Sequence, residues 1–299
     1  MNTHYQFGPI SLTFLDTLRS FRDGGTLFGP VPKALWNRKM PANDNNEIPE
    51  VIDPILIQHQ SKNYLVDTSY GTSKMREKDK KIAVLDSDSR LVDSLAQEGL
   101  APEDIDVIIQ THMHDDHAGG LTELKDGQVF PVFPNATIYV NAIEWEEVRH
   151  PNKRTAGTYK KENWQAVQDQ VTTWSDQHAL NDAMTLHHTG GHSRGHSILS
   201  IKQGDQEILH LADLLITLAH LNPLWVPGLD DYPMDSIAGK EKWLNYGFKN
   251  QCKFIFYHDP YYAMVQFDTD GKEIVDSLKR EKEAYLPKSE EYMQSWFLQ

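Results

Sequence analysis

Cysteine is almost absent: Cys252 stands alone in 299 residues. An intramolecular disulfide is therefore excluded, and so is a metal cage built from thiolates. Positive charge is scarce as well, with 29 basic against 43 acidic residues and a formal charge of -14. That balance gives nucleic acid or an anionic membrane surface no net attraction, so neither is expected as a partner. The one dense charged run, "REKDKK" at 76–81, alternates in sign and reads as a solvated loop. No stretch approaches the roughly 18 apolar residues of a membrane helix. The opening "MNTHYQFGPISLTFLD" has no basic start leading into an apolar run, so no secretory signal is evident and a cytoplasmic location is expected.

What is there describes a globular chain. Hydrophobic residues make up 39% and charged residues 24%, enough to bury a substantial core in one large domain or two halves. Residues 22–50, rich in Gly, Pro and Asn, read as a long ordered loop, a feature that in compact domains is usually functional. Strands are expected at Ile55–His59 and Asn63–Asp67. A helix is expected over Ser87–Glu98, where Leu91, Val92, Leu95 and Ala96 recur at helical spacing before Gly99. "DVIIQT" at 106–111 and "ATIYVN" at 136–141 read as buried strands, with a helix over Ile143–His150. The second half repeats the alternation: strands at Met184–His188, Ser197–Lys202 and Ile208–Leu211, a helix from Lys240, and a strand at Lys253–His258. Strands and helices mixed in both halves suggest two packed sheets with helices outside.

The stretch "THMHDDHAGG" at 111–120 places three histidines and two aspartates in ten residues. With 14 histidines in the chain, a chance H-x-H-x-D-H is expected on the order of a few times per thousand such chains. Imidazole and carboxylate suit zinc and other borderline divalent ions. His112 and His114, two residues apart just past a strand, point their rings the same way. Asp116 and His117 follow where Gly119 and Gly120 permit a sharp turn. Downstream, His192, Asp213 and His258 each sit at a strand end.

In that order these residues resemble the ordered signature of the metallo-β-lactamase superfamily, with Asp67 after an early strand, over roughly residues 50–265. The resemblance implies an αββα sandwich of α/β (α+β) class, a single domain over 1–299 with 1–50 as a loop extension, and two divalent ions at one edge. Zinc is the expected metal, with manganese, iron and cobalt compatible. By the same resemblance His112, His114 and His192 hold one ion, Asp116, His117 and His258 the other, and Asp213 bridges them. Asp67 orients a ligand rather than binding metal. His196 and Thr189 take structural hydrogen bonds, and Asp115 occupies a variable position of the motif.

Two such ions share and acidify a water, which gives a hydroxide near neutral pH and metal-assisted hydrolysis as the reaction class. Asp116 and Asp213 are the candidate catalytic carboxylates, Asp116 passing a proton to the leaving alkoxide. "DGGTLFGPVPKALW" at 23–36 and "DLLITLAHLNPLWVPGLDDYP" at 213–233 resemble the quorum-quenching branch that opens N-acyl homoserine lactones. Phe28, Pro30, Val31, Pro32 and Trp36 are placed to line an apolar trough, with Leu221, Trp225 and Tyr232 opposite. One departure is Ile216, where well-known lactonases of that branch carry a substrate-contacting tyrosine. An arylesterase or organophosphate-triester hydrolase is the alternative enzyme, and a metal-bound scaffold or sensor the alternative outside enzymology. The tail 268–299, short and mixed in charge, does not suit the basic helical region of a glyoxalase II. A homodimer through the N-terminal segment is compatible with the sequence.

Overall fold

Period-two alternation with both faces apolar is what shapes the first half of the chain. Ile55, Ile57, Tyr64 and Val66 fall on one face of their strands, Leu56 and Leu65 on the other, and all are buried. A sheet with two apolar faces must be covered twice. The computed structural model, which describes residues 1–281, shows by what.

β1 (Thr3–Phe7) and β2 (Ile10–Phe14) form a hairpin. β3 (Leu18–Asp23) and β4 (Glu47–Ile52) pair as a separate ribbon enclosing the short helices α1 (Gly24–Phe28) and α2 (Lys33–Trp36). β5 (Ile55–His59) and β6 (Lys62–Val66) follow, then α3 (Glu77–Ile82), α4 (Leu91–Gln97) and β7 (Val107–Ile109). Next come α5 (Asp115–Ala118), a ribbon of β8 (Thr122–Lys125) and β9 (Gln128–Pro131), β10 (Thr137–Asn141), α6 (Ala142–Arg149) and β11 (Val171–Trp174). The first sheet has the order β1-β2-β5-β6-β7-β10-β11. The second runs in sequence order: β12 (Gln177–Ala179), β13 (Met184–His188), β14 (Ser197–Gln203), β15 (Gln206–His210), β16 (Lys253–Ile255), β17 (Tyr262–Phe267) and β18 (Ile274–Lys279). Helix α7 (Pro233–Lys249) connects β15 to β16.

Between the sheets, Phe14, Ile57, Val66 and Ile109 meet Met184, Leu199, Ile208 and Ile255. Outside the first sheet, Leu56, Leu65 and Ile108 pack under Leu95 of α4 and Trp145 and Val148 of α6. Outside the second, Leu209 and Phe254 pack under Trp243 and Leu244 of α7. The arrangement is the expected αββα sandwich. Each such side chain, fully buried, contributes roughly 1.5–3 kcal/mol.

Parallel pairing positions the site. β6 runs parallel to β7, and β15 to β16, so the C-terminal ends of all four open at sheet edges. Asp67, His112, Asp213 and His258 lie one to three residues past those ends. Ligand sites form where parallel strands end, because the loops there are free to carry chemistry.

Several expectations need correction. Residues 22–50 are not a loop, and 1–50 is not an extension. The first hairpin belongs to the main sheet, and 18–52 form the ribbon with its two helices. The glycines and prolines do not mark one loop: Gly24 and Gly25 open α1, Pro49 lies within β4, and Gly29 and Pro30 lie between α1 and α2. "REKDKK" is helical in α3, with none of its residues buried. The strand in 106–111 is three residues long, and the one expected to reach His258 stops at Ile255. α7 begins at Pro233 rather than Lys240, because its first two turns bury Ser236 and Lys240 instead of apolar residues. In the tail, β18 forms an edge strand, while 282–299 lie outside the described residues. Among the described residues no helix is long and apolar enough to cross a membrane.

Candidate metal centre

The seven residues of the sequence pattern converge on one point. Three overlapping groups place their ligand atoms within 4.8 Å of one another: His112, His114 and His192; His112, His117 and Asp213; Asp116, His117 and His258. Asp213 stands between the outer two. Its Oδ1 lies 3.3 Å from Nε2 of both His117 and His258, and its Oδ2 3.3 Å from Nε2 of His192. The short turn holding Asp213 leaves β15 through Ala212, whose φ of 45° directs the carboxylate back over the strand end.

Groups outside this cluster decide which ring nitrogens carry protons. His258 Nδ1 donates to the carbonyl of Val51 at 2.9 Å, His117 Nδ1 to Asp67 at 2.9 Å, and His192 Nδ1 to Asp230 at 2.8 Å. The hydroxyl of Thr111 donates to Asp67 at 2.8 Å and so accepts from His112 Nδ1 at 3.1 Å. With these outer nitrogens protonated, the neutral rings of His112, His117, His192 and His258 turn their lone pairs inward. His117 Nε2 then faces His258 Nε2 across 3.2 Å, and His192 Nε2 faces His114 Nδ1 across 3.0 Å. The first pair sets lone pair against lone pair and repels unless positive charge sits between them. His112 Nε2, fully buried, has no hydrogen-bond partner among the described residues. This donor set fits two borderline divalent cations.

The electrostatics agree. Burial opposes charge on His117, yet Asp213, Asp67 and Asp116 outweigh it and hold its pKa well above 6.5, so this point calls for a cation or a proton. His112 and His114 are pushed the other way, by burial first and then by neighbouring imidazoles, His114 to about 3. Both stay neutral, with lone pairs available.

Four supporting groups carried no legible signal in the sequence. Asp230 sits within "GLDDYP", 38 residues from the histidine it orients. Glu144, on α6, reads as one more acidic residue of a solvent face but is fully buried. It accepts from Met113 N (2.8 Å), Tyr159 Oη (2.9 Å), Ser193 Oγ (2.7 Å) and Gly195 N (3.1 Å), tying the two histidine loops together. Gly195 is glycine because a Cβ there would lie 2.1 Å from Glu144 N. Arg22 and Glu50 come from the two paired strands of the ribbon, Arg22 opposite Ile48 and Glu50 opposite Ser20. Nε of Arg22 lies 3.0 Å from both carboxylate oxygens of Glu50, and Nη2 lies 2.9 Å from Asp116 Oδ2. Asp115, beside the cluster, pairs with Lys160 at 2.5 Å, and Thr189 bonds His196 at 2.7 Å.

The centre forms the floor of a cavity of about 400 Å³, within the range of small-molecule sites. Ile216, Leu27 and Leu229 supply apolar lining, and Arg22, Arg154, Thr155 and Thr158 polar lining. Phe28, Val31, Trp36, Trp225 and Tyr232 do not line it, contrary to the expected trough. Phe28 and Trp36 are buried and stacked at 5.1 Å, filling the gap between the ribbon and the loop after Asp213, with Val31 and Trp225 at the margin. A Cβ at Gly24 would lie 2.3 Å from the Trp36 ring. Tyr232 precedes α7, partly exposed outside the cavity. Large aromatics in this segment found a core to fill, which outweighs exposure to a pocket.

The family model of the metallo-beta-lactamase superfamily matches residues 49–246. The chain belongs to this superfamily. A probable metal-dependent hydrolase from Staphylococcus aureus has a similar structure, with a TM-score of 0.89 and 37% identity over 93% of this chain and 99% of that one. The N-acyl homoserine lactonase AttM of Rhizobium radiobacter is 28% identical over 185 residues, 59% of this chain. That match spans 66% of AttM. AidC, a dizinc quorum-quenching lactonase, shares the fold of this superfamily member with a TM-score of 0.75, at 19% identity over 94% of this chain and 98% of its own.

Proposed function

We propose that this chain is a metal-dependent hydrolase that opens the lactone ring of N-acyl homoserine lactones, a quorum-quenching activity. The observation that carries the hydrolase reading is the set of inward-facing imidazole nitrogens and the Asp213 carboxylate at the floor of a cavity. The lactone reading leans on the curated relatives of that name.

His112, His114 and His192 would hold one cation and Asp116, His117 and His258 the other, with Asp213 standing between the two groups. Divalent cations bound there, zinc by preference, would acidify a water and polarise a carbonyl oxygen. The remaining work falls to the chain. Val51 O, Asp67, Thr111 and Asp230 keep protons on the outer ring nitrogens. Against burial, His117 and Arg22 keep Asp116 ionised, and Oδ1, outside the Arg22 bond, receives the proton that the attacking water gives up and hands it to the leaving alkoxide. Ile216 and Leu27 give the ring an apolar wall that excludes water.

A pH-indicator panel of acyl homoserine lactones, plain lactones, aryl esters and a phosphotriester tests the reading. Preference for the acyl homoserine lactones is the expected result, and a strong preference for the phosphotriester over every lactone would overturn it. Asp213→Ala should lose metal and hydrolysis together. Two metals and full activity in that variant refute the bridging role.

A further inference from the structure

Arg22 is held more firmly than charge balance requires. Glu50 grips its Nε edge, and Ser20 Oγ, donating to Glu50 at 2.6 Å, buttresses the carboxylate from behind. Nη2 is engaged by Asp116 and Glu50, both at 2.9 Å. Nη1 makes no hydrogen bond among the described residues, and the side chain keeps 21% of its surface accessible where it lines the cavity. The fork therefore presents a fixed, charged N–H donor beside the metal centre, its plane set before anything binds. Arg154, the other cationic lining group, is more than half exposed at the rim and bonds Asp231 and the carbonyls of Gly228 and Asp230. Ile216 brings no donor, and no tyrosine lines this cavity. Arg22 also borders an adjoining cleft of about 440 Å³, shared with Tyr70, Met75 and Lys160, so a molecule reaching past Arg22 has room.

We propose that Arg22 determines specificity: its Nη1–H binds a second acceptor oxygen of the substrate, on the portion outside the scissile ester and directed toward the adjoining cleft. The preferred substrates are esters or lactones bearing an amide or similar carbonyl near the reacting group, over those with hydrocarbon alone. This rests on the hydrolase reading above, but not on the lactone reading.

The test is the ratio of kcat/KM within matched pairs, on metal-loaded protein of measured metal content. One pair is an N-acyl homoserine lactone against an alkyl γ-lactone of equal length. The other is the 4-nitrophenyl ester of N-acetylglycine against that of pentanoic acid. Arg22→Lys keeps a positive charge beside Glu50 and removes the third donor edge, and Arg22→Gln serves if its yield is poor. Loss of one charge-assisted hydrogen bond should lower kcat/KM about 10- to 100-fold more for the acceptor-bearing member than for its partner. Equal losses within a pair, at whatever absolute level, overturn the proposal and leave Arg22 as a support for Asp116. Cleavage of the aryl esters with no opening of either lactone sinks the lactone reading, and the second pair then decides the role of Arg22.

Discussion

Asp67→Asn tests how protons are distributed around the metal centre. Asp67 is fully buried and accepts three hydrogen bonds: Thr111 N at 2.9 Å on Oδ1, and Thr111 Oγ1 at 2.8 Å with His117 Nδ1 at 2.9 Å on Oδ2. Asparagine has the same shape but only one acceptor oxygen. If that oxygen keeps the bond from Thr111 N, the NH₂ group faces His117 Nδ1 and forces it to accept. The imidazole proton then moves to Nε2, the atom aimed at the cation. If the amide flips, the Thr111 N–H meets an N–H and loses its partner. Either way one charge-assisted bond of about 1.5–3 kcal/mol is lost. That range converts to about 10- to 150-fold in affinity, close to the usual effect of removing a residue that orients a metal-bound histidine. The loss should fall on the cation held by Asp116, His117 and His258, while Asp230→Asn, acting through His192 Nδ1, should weaken the other. Competition with a chromophoric chelator, read as two successive binding steps, measures both. Wild-type affinity at both steps in Asp67→Asn would refute the proton assignment, and identical weakening of both steps by either variant would refute the separation into two groups.

Other outcomes follow from buried groups away from the cations. Glu144→Ala strands four donors between the two histidine loops, and should cost about 3–5 kcal/mol by urea denaturation of the metal-free protein. A loss below about 1 kcal/mol would mean those loops hold each other without it. Lys240, fully buried and donating to the carbonyls of Trp225 (2.7 Å) and His220 (3.2 Å), has its pKa lowered by burial to about 8. The folded state thus binds fewer protons at this site than the unfolded chain between about pH 8 and 10.4. Its destabilising effect is fully present below pH 8 and fades as pH rises, adding stability on the order of 1 kcal/mol per pH unit in that window. Arg and Tyr aside, that slope should vanish in Lys240→Met when the two unfolding free energies are compared across pH. Parallel curves for the two proteins would contradict the burial argument.

Legibility differed by the range of the interaction. The motif at 111–120 was readable because its ligands are close in sequence and follow a strand, so local geometry already aims them together. The alternation of β5 and β6 was readable for the same reason. The ribbon was not, since pairing Arg22 with Ile48 and Ser20 with Glu50 spans some 30 residues of low-periodicity sequence. The early turns of α7 were hidden because Ser236 and Lys240 occupy its buried face. Composition shows that Phe28 and Trp36 are apolar but not which of two apolar surroundings they enter, and here they enter the core.

The chemistry of the donors, their order and the packed sheets that carry them are legible along the chain, because residue type and strand periodicity are local properties. Where the protons on four of those histidines sit depends on contacts made in the folded chain, with Val51, Asp67, Thr111 and Asp230, and so does the placing of Arg22 and Glu50 beside the centre. Hydrogen bonds act over about 3 Å in space regardless of separation along the chain. The partner of a ring nitrogen is therefore settled only when the sheets have packed and their edges have met.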